Sequence, residues 1–361
     1  MTNYIHQISP IALQIYENIA IRWYGLAYLA GLVLGLILMR EMAKRKGHLL
    51  NNEQLSDLVT WAALGVMLGG RLGYCVFYSP HVLLEFDSSF PFWGVLKVWE
   101  GGMSSHGGFI GVLVASFLFG RRYKVSWFHI NDLTVLGGSL GFFFGRIANF
   151  INGELYGRVV EKPISWAVKF PQELNEWMNY SQAKLLTLEP LVQKVTDKAF
   201  AADQLPKGLS PYNWSDLVGR YAVDGQARET VRSFVVWVQE QCMEHNQVVL
   251  TALYDILPSR YPSQLIQALC EGLFVFILLN LIWLKPQKPG ILTAWFGVFY
   301  AIARIFGEQF RMPDAQLGFQ ALGLTRGQWL SVAMLLVGVA FMIYCSKRDV
   351  PKIKGWSKSV E

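Results

Sequence analysis

Long apolar runs separated by short polar stretches dominate the 361-residue chain. Seven of them, at about 21–40, 57–78, 106–121, 131–150, 265–284, 290–310 and 327–345, are near the length a helix needs to cross ~30 Å of hydrocarbon. The third is short and begins with a polar turn. The stretch 159–262 interrupts this series. Inside it, Leu185–Thr196 and Arg228–Glu244 show the period of amphipathic helices, broken up by Pro190, Pro206, Gly208 and Pro211. The pattern predicts an all-α polytopic membrane protein of seven transmembrane helices with a small head between spans four and five. Residues 1–158 would carry spans one to four, 159–262 the head, and 263–361 spans five to seven with a basic tail.

Charge gives the orientation. Arg40, Lys44, Arg45, Lys46, Arg121, Arg122, Lys124, Lys285, Lys288, Lys347, Arg348, Lys352, Lys354 and Lys358 fall on one side of the spans; the short loops opposite hold only Lys97, Arg311 and Arg326. Cytoplasmic loops carry the excess of basic residues, so the N-terminus is expected outside, the head extracytoplasmic and the C-terminus cytoplasmic. The first span reads as retained rather than as a cleaved signal, because residues 1–20 lack a basic leading segment. Composition agrees: 53% hydrophobic and 16% charged residues lie outside the soluble range. A net charge of +6 could suggest nucleic acid, but the basic residues cluster in loops between spans. The 172–259 stretch has eleven acidic and seven basic residues, a net of −4. Of Cys75, Cys242, Cys270 and Cys345, only Cys242 lies in the outside segment, and none has a partner at metal-ligand spacing.

The chemistry concentrates at the end of the fourth run. Gly145–Arg158 places two arginines, a carboxylate and two amides where a membrane helix meets its interface. Ionisable groups at that depth are costly, so they indicate a functional site. Arginine suits a phosphate because it offers two parallel hydrogen bonds. The segment therefore reads as a polar pocket, open to lipid, that grips an anionic headgroup. A second stripe, Tyr300, Arg304, Glu308 and Arg311, has helical spacing and would share one face. It fits a functional role or an Arg304–Glu308 ion pair that fixes packing. His106 is flanked by Gly101, Gly102, Gly107 and Gly108. Irregular backbone at membrane depth is tolerated only inside protein or along a cavity. His106 is thus a candidate general base or substrate contact, or simply a helix cap; the other histidines fall in polar or interfacial segments. Tyr24 and Arg71 are weaker candidates.

Other patterns carry less. Gly31/Gly35, Gly69/Gly73 and Gly137/Gly141/Gly145 suit close helix packing in lipid. Gly137-Gly138-Ser139-Leu140-Gly141 matches the nucleophile-elbow pattern in letters only, because it lies within an apolar helix. Phosphate-loop and zinc-protease motifs do not occur.

With these residues in view, the chain resembles the prolipoprotein diacylglyceryl transferase family. The likeness runs from Ile21-Arg22-Trp23-Tyr24-Gly25 to the seventh span. It takes in Leu68–Tyr74, Trp99–Gly108, the highly specific Gly145–Arg158, Pro262-Ser263-Gln264-Leu265 and Pro313-Asp314-Ala315-Gln316. The resemblance implies a bacterial inner-membrane enzyme that moves the diacylglyceryl group of phosphatidylglycerol to the lipobox cysteine of a preprolipoprotein. A thioether forms, glycerol phosphate leaves, and no cofactor or metal is needed. It maps essential roles onto Tyr24, His106, Arg146, Asn149, Glu154, Gly157, Tyr300, Arg304 and Glu308. On that mapping, His106 takes the thiol proton, Arg146 and Arg304 stabilise the leaving phosphate, Asn149 donates to the headgroup, and Glu154 and Glu308 orient the arginines. Two departures stand out. Tyr261 replaces the family's usual histidine before Pro-Ser-Gln-Leu, and 172–259 is longer than the family pattern suggests. A lipid or anion transporter, using the same arginines without chemistry, is the rival class; the paired halves common in transporters are absent here.

Overall fold

The computed structural model describes residues 3–16, 19–44, 49–98, 101–162, 164–200, 204–210, 212–312 and 320–356. Trp99, Glu100, His48 and the Pro313–Gln316 motif therefore lie outside the described residues. The chain forms two compact units. One comprises Met1–Leu26, Arg146–Ile266 and Gly307–Gly318; the other comprises Ala27–Gly145, Gln267–Phe306 and Phe319–Glu361.

The second unit is built around apolar helices. α1 (Trp23–Ala43), α2 (Asn52–Phe77), α4 (Trp127–Ile151), α10 (Ser263–Ile282) and α12 (Arg326–Lys347) are long and apolar enough to cross a membrane. α3 (Ser105–Tyr123) and α11 (Ile291–Gly307) coincide with two further expected spans, but neither meets both the length and apolarity that mark the five. Outward-facing Leu29, Val33 and Ile37 on α1 and Leu336 and Val337 on α12 are exposed. Apolar surface on that scale suits lipid rather than water. The core of this unit gathers Met42, Leu55, Phe119, Ile130, Leu136, Leu279 and Trp283.

Small residues set the helix crossings. A Cβ on Gly31 would stand 3.1 Å from the Gly141 Cα, and one on Gly35 would stand 3.2 Å from the Gly137 Cα. α2 and α3 approach more closely still: a Cβ on Gly69 would lie 2.7 Å from the Gly111 Cα. Close backbone approach of this kind drives helix association where no hydrophobic effect separates helix from lipid. Buried Asp132 caps α11, its carboxylate accepting from Gly290 N at 2.7 Å and Thr293 N at 2.8 Å.

In the first unit, helices α5 (Glu173–Tyr180), α6 (Glu189–Lys194), α7 (Trp214–Arg220), α8 (Gly225–Met243) and α9 (Gln247–Ile256) surround one apolar core. α8 shows why. Ala227, Val231, Phe234, Val235, Val238 and Cys242 recur at three- and four-residue spacing and are all buried. Asp224 starts that helix by accepting from Gln226 N and Ala227 N. Trp214 is fully buried and donates its indole N–H to the Leu185 carbonyl at 2.8 Å. Burial pushes the Cys242 thiol up to about 12. Sheet is sparse among the described residues. β1 (Tyr4–Ile5) pairs in parallel with β4 (Val168–Lys169), and β2 (Ile11–Tyr16) pairs antiparallel with β3 (Ile19–Arg22).

Candidate active site

α4 carries the Gly145–Arg158 motif to its end. The helix runs to Ile151, so Arg146 and Asn149 occupy its final turns; Glu154 N then returns to the Asn149 carbonyl at 3.1 Å. Asn149 is buried and its amide joins two more expected residues. Nδ2 donates to the Tyr24 hydroxyl at 3.1 Å and to Glu154 Oε1 at 2.7 Å. Tyr24, Asn149 and Glu154 thus form one hydrogen-bonded group at the motif. Arg146, one turn before Asn149, is half-buried.

Gly157 lies where two other segments converge. Its N–H donates to the Tyr261 carbonyl at 3.0 Å, and Arg158 N donates to the Phe310 carbonyl at 2.9 Å. The Arg158 guanidinium donates to the Arg311 carbonyl at 2.8 Å and the Glu308 carbonyl at 3.3 Å. The second arginine of the motif therefore binds backbone.

The 300–311 stripe does not stay on one helix face. α11 ends at Gly307; Glu308–Phe310 form a turn, and Arg311 bridges to Gly157. Spacing alone could not show this, because the pairing with Gly157 ends the helix. Glu308 is buried and its carboxylate lies 3.4 Å from Arg311 Nη1. Arg304 forms an ion pair at 3.1 Å with Glu271, a fully buried carboxylate on α10. Helical spacing within 300–311 gave no sign of Glu271. An acidic residue inside the fifth apolar run was the available signal. α10 adopts a π-helical turn over Ala268–Phe274 that includes Glu271, and such turns concentrate at functional sites. Tyr300 packs its ring against Phe142 and Phe296, at 4.9 and 5.5 Å between centroids.

His106 lies in the first turn of α3 and is exposed. It is not the cap: Ser104 Oγ accepts from Gly107 N at 3.2 Å. Gly101 and Gly102 precede it with φ of +87° and +76°, the left-handed backbone their residue type permits. Arg71 has a structural task. Its buried guanidinium donates to the carbonyls of Val95 and Gly94 at 2.8 Å each, and also to Gly101 and Gly102. It staples the loop before α3 to α2. Ser139 is also structural, its buried hydroxyl donating to the Leu136 carbonyl at 2.8 Å.

Two histidines are not in the polar settings that the sequence suggested: His6 and His129 are both buried. The β1–β4 pairing draws His6 inward, against Phe150 at 5.4 Å and Phe170 at 5.5 Å. Burial lowers its pKa from 6.5 to about 4, against a hydrogen bond with the Phe150 backbone. The unfolded chain then binds more protons between about pH 4 and 6.5. Stability from neutral His6 is complete above pH 6.5 and is lost as pH falls toward 4, by about 3 kcal/mol in all. Thermal unfolding from pH 7 to pH 4 is expected to show a steeper loss in the unaltered protein than in His6→Phe. Equal slopes would exclude this contribution.

These features describe a multi-pass membrane protein with a polar, arginine-bearing motif at the end of an apolar helix. A sequence model of the family described as prolipoprotein diacylglyceryl transferase matches residues 10–344. The chain belongs to this family. It is similar to the phosphatidylglycerol–prolipoprotein diacylglyceryl transferase of Bdellovibrio bacteriovorus, with 45% identity over 98% of this chain and 97% of that protein. Proteins of the same name from Ralstonia pickettii and Neisseria gonorrhoeae are 35% and 34% identical. Those matches cover 95% of both chains, and 92% of this chain with 94% of the relative, respectively.

Proposed function

We propose that this protein transfers the diacylglyceryl group of phosphatidylglycerol to the lipobox cysteine of preprolipoproteins, the first step of lipoprotein maturation. The observation that carries the reading is the match, along nearly the whole chain, to relatives named for that reaction. In this proposal α3 and α11 join the five long helices as spans, giving seven in a bacterial inner membrane. Residues 1–158 and 263–361 hold the spans, and 159–262 forms an extracytoplasmic head. The N-terminus is outside and the C-terminus cytoplasmic.

The chemistry follows from the substrates. A free thiol has a pKa near 8.5, so only a few per cent is thiolate at pH 7. His106 takes the thiol proton. The sulfur attacks the glycerol carbon that bears the phosphate; the C–O bond breaks, a C–S bond forms, and glycerol phosphate leaves with the bonding pair. Arg146 and Arg304 each offer donors to the charge growing on phosphate, and such contacts are strong where water is excluded. Asn149 donates to the headgroup, while Tyr24 and Tyr300 bind or gate it. Glu154 and Glu308 orient neighbouring groups. The phosphodiester supplies its own leaving group, so no cofactor enters.

The test incubates purified protein with phosphatidylglycerol and a lipobox peptide. Mass gain on the peptide cysteine is expected; lipid movement without it would identify a transporter. Arg146→Lys keeps the charge but gives up one of two parallel hydrogen bonds, so transfer should fall about tenfold. Unchanged turnover would refute two-point phosphate holding. In the same assay, full activity of His106→Gln at every pH would remove the base.

A further inference from the structure

One short segment holds the backbone of the motif loop. The Glu154 carbonyl accepts from Gln264 Nε2 at 2.7 Å, and the Leu155 carbonyl accepts from Ser263 Oγ at 3.0 Å. The Gly157 carbonyl accepts from Arg260 Nη1 at 3.0 Å, and the Arg158 carbonyl accepts from Tyr261 N at 3.1 Å. Ser263, Gln264 and Arg260 are all buried. Residues 260–264 therefore act as a template for 154–158. Tyr261 takes part through its backbone, while its ring packs on Trp166 and Phe310.

Arg260 differs from the other donors because it is itself fixed from elsewhere. Its Nε and Nη2 meet the two oxygens of Glu173 at 2.5 and 2.6 Å, a forked pair with both partners nearly inaccessible. Its plane also lies over the Tyr156 ring, 4.8 Å from the centroid. Glu173 opens helix α5 and accepts from Trp177 Nε1 at 3.0 Å. Only a guanidinium can satisfy a carboxylate with one edge and still reach a carbonyl with its remaining nitrogen.

We propose that Arg260, locked by Glu173 of the 159–262 insert, is a positioning residue that fixes the Gly157 carbonyl and the Tyr156 ring, and so places the Glu154–Gly157 loop for transfer. The insert then takes part in the reaction through a carboxylate that orients the motif. This rests on the proposed transferase reading for its consequence, but not for the placement itself.

A buried ion pair exchanged for apolar residues is often neutral for stability, and this separates positioning from mere support. The full-length protein is compared with the double variant Glu173→Leu/Arg260→Met by hydrogen–deuterium exchange and by transfer to a lipobox peptide. Positioning predicts ordinary protection of 225–243, exchange in 154–160 at least about tenfold faster, and kcat lowered about tenfold with the peptide KM unchanged. Wild-type exchange in 154–160, or wild-type kcat, overturns the proposal. Should the double variant fail to fold, Arg260→Lys, which keeps a charge opposite Glu173 but loses the fork, is read by the same two measurements. If the unaltered protein transfers nothing, the transferase reading fails, while the exchange data still decide the placement.

Discussion

Gly157→Ala is expected to lower transfer to a lipobox peptide by about a hundredfold or more. A Cβ at this position would press on the Tyr261 carbonyl oxygen and stand 2.5 Å from the Phe310 carbonyl oxygen. Both obstacles are backbone, so no side chain can turn aside. Each of those carbonyls accepts a hydrogen bond from the motif, from Gly157 N and Arg158 N, so making room breaks the bridges that seat the loop. Overpacking of this kind costs about 1–3 kcal/mol or more. A shift of about 1 Å in a reacting group can cost about a hundredfold in rate. The rate of mass gain on the peptide cysteine and the unfolding temperature measure the two effects. A wild-type rate in Gly157→Ala would show that the close approach has no part in transfer.

The second large effect is expected at a residue that the motifs do not include. Glu271→Leu removes the fully buried carboxylate paired with Arg304. Removing one partner of a buried pair costs about 3–5 kcal/mol, because the remaining charge keeps its desolvation penalty. Glu271→Gln, which keeps the shape and a neutral acceptor, should lose less stability. Both variants should lose transfer activity, since Arg304 would lose the Glu271 carboxylate that it meets at 3.1 Å. Thermal unfolding in detergent gives the stability term, and the peptide assay gives the other. Unfolding of Glu271→Leu at the wild-type temperature would show that the pair contributes nothing to the fold.

These two residues illustrate how far a linear reading reaches. Gly157 stands inside a motif whose unusual residue types are visible letter by letter, so it could be singled out as a candidate without coordinates. Glu271 is the one charged residue in an apolar run long enough for a span, but Arg304, which it meets, lies 33 residues away on another helix. His6 shows the same limit. It lies ahead of the first apolar run, yet pairing of Tyr4–Ile5 with Val168–Lys169 buries it. The 159–262 stretch is intermediate. Arg228–Glu244 predicts an amphipathic helix, and α8 covers Gly225–Met243, but periodicity does not tell which helices share its core.

From the order of residues alone came the apolar runs, the basic loops and the arginine-bearing motif, because hydrophobic period, charge placement and residue chemistry are local properties. Three-dimensional packing assigned the partners: Glu271 to Arg304, Glu173 to Arg260, and residues 260–264 to the motif backbone. It also ended α11 at Gly307, where a bridge from Arg311 to Gly157 replaces the next helical turn. A helix period tells which face a side chain is on; which carboxylate it meets there depends on chain segments folded from far away.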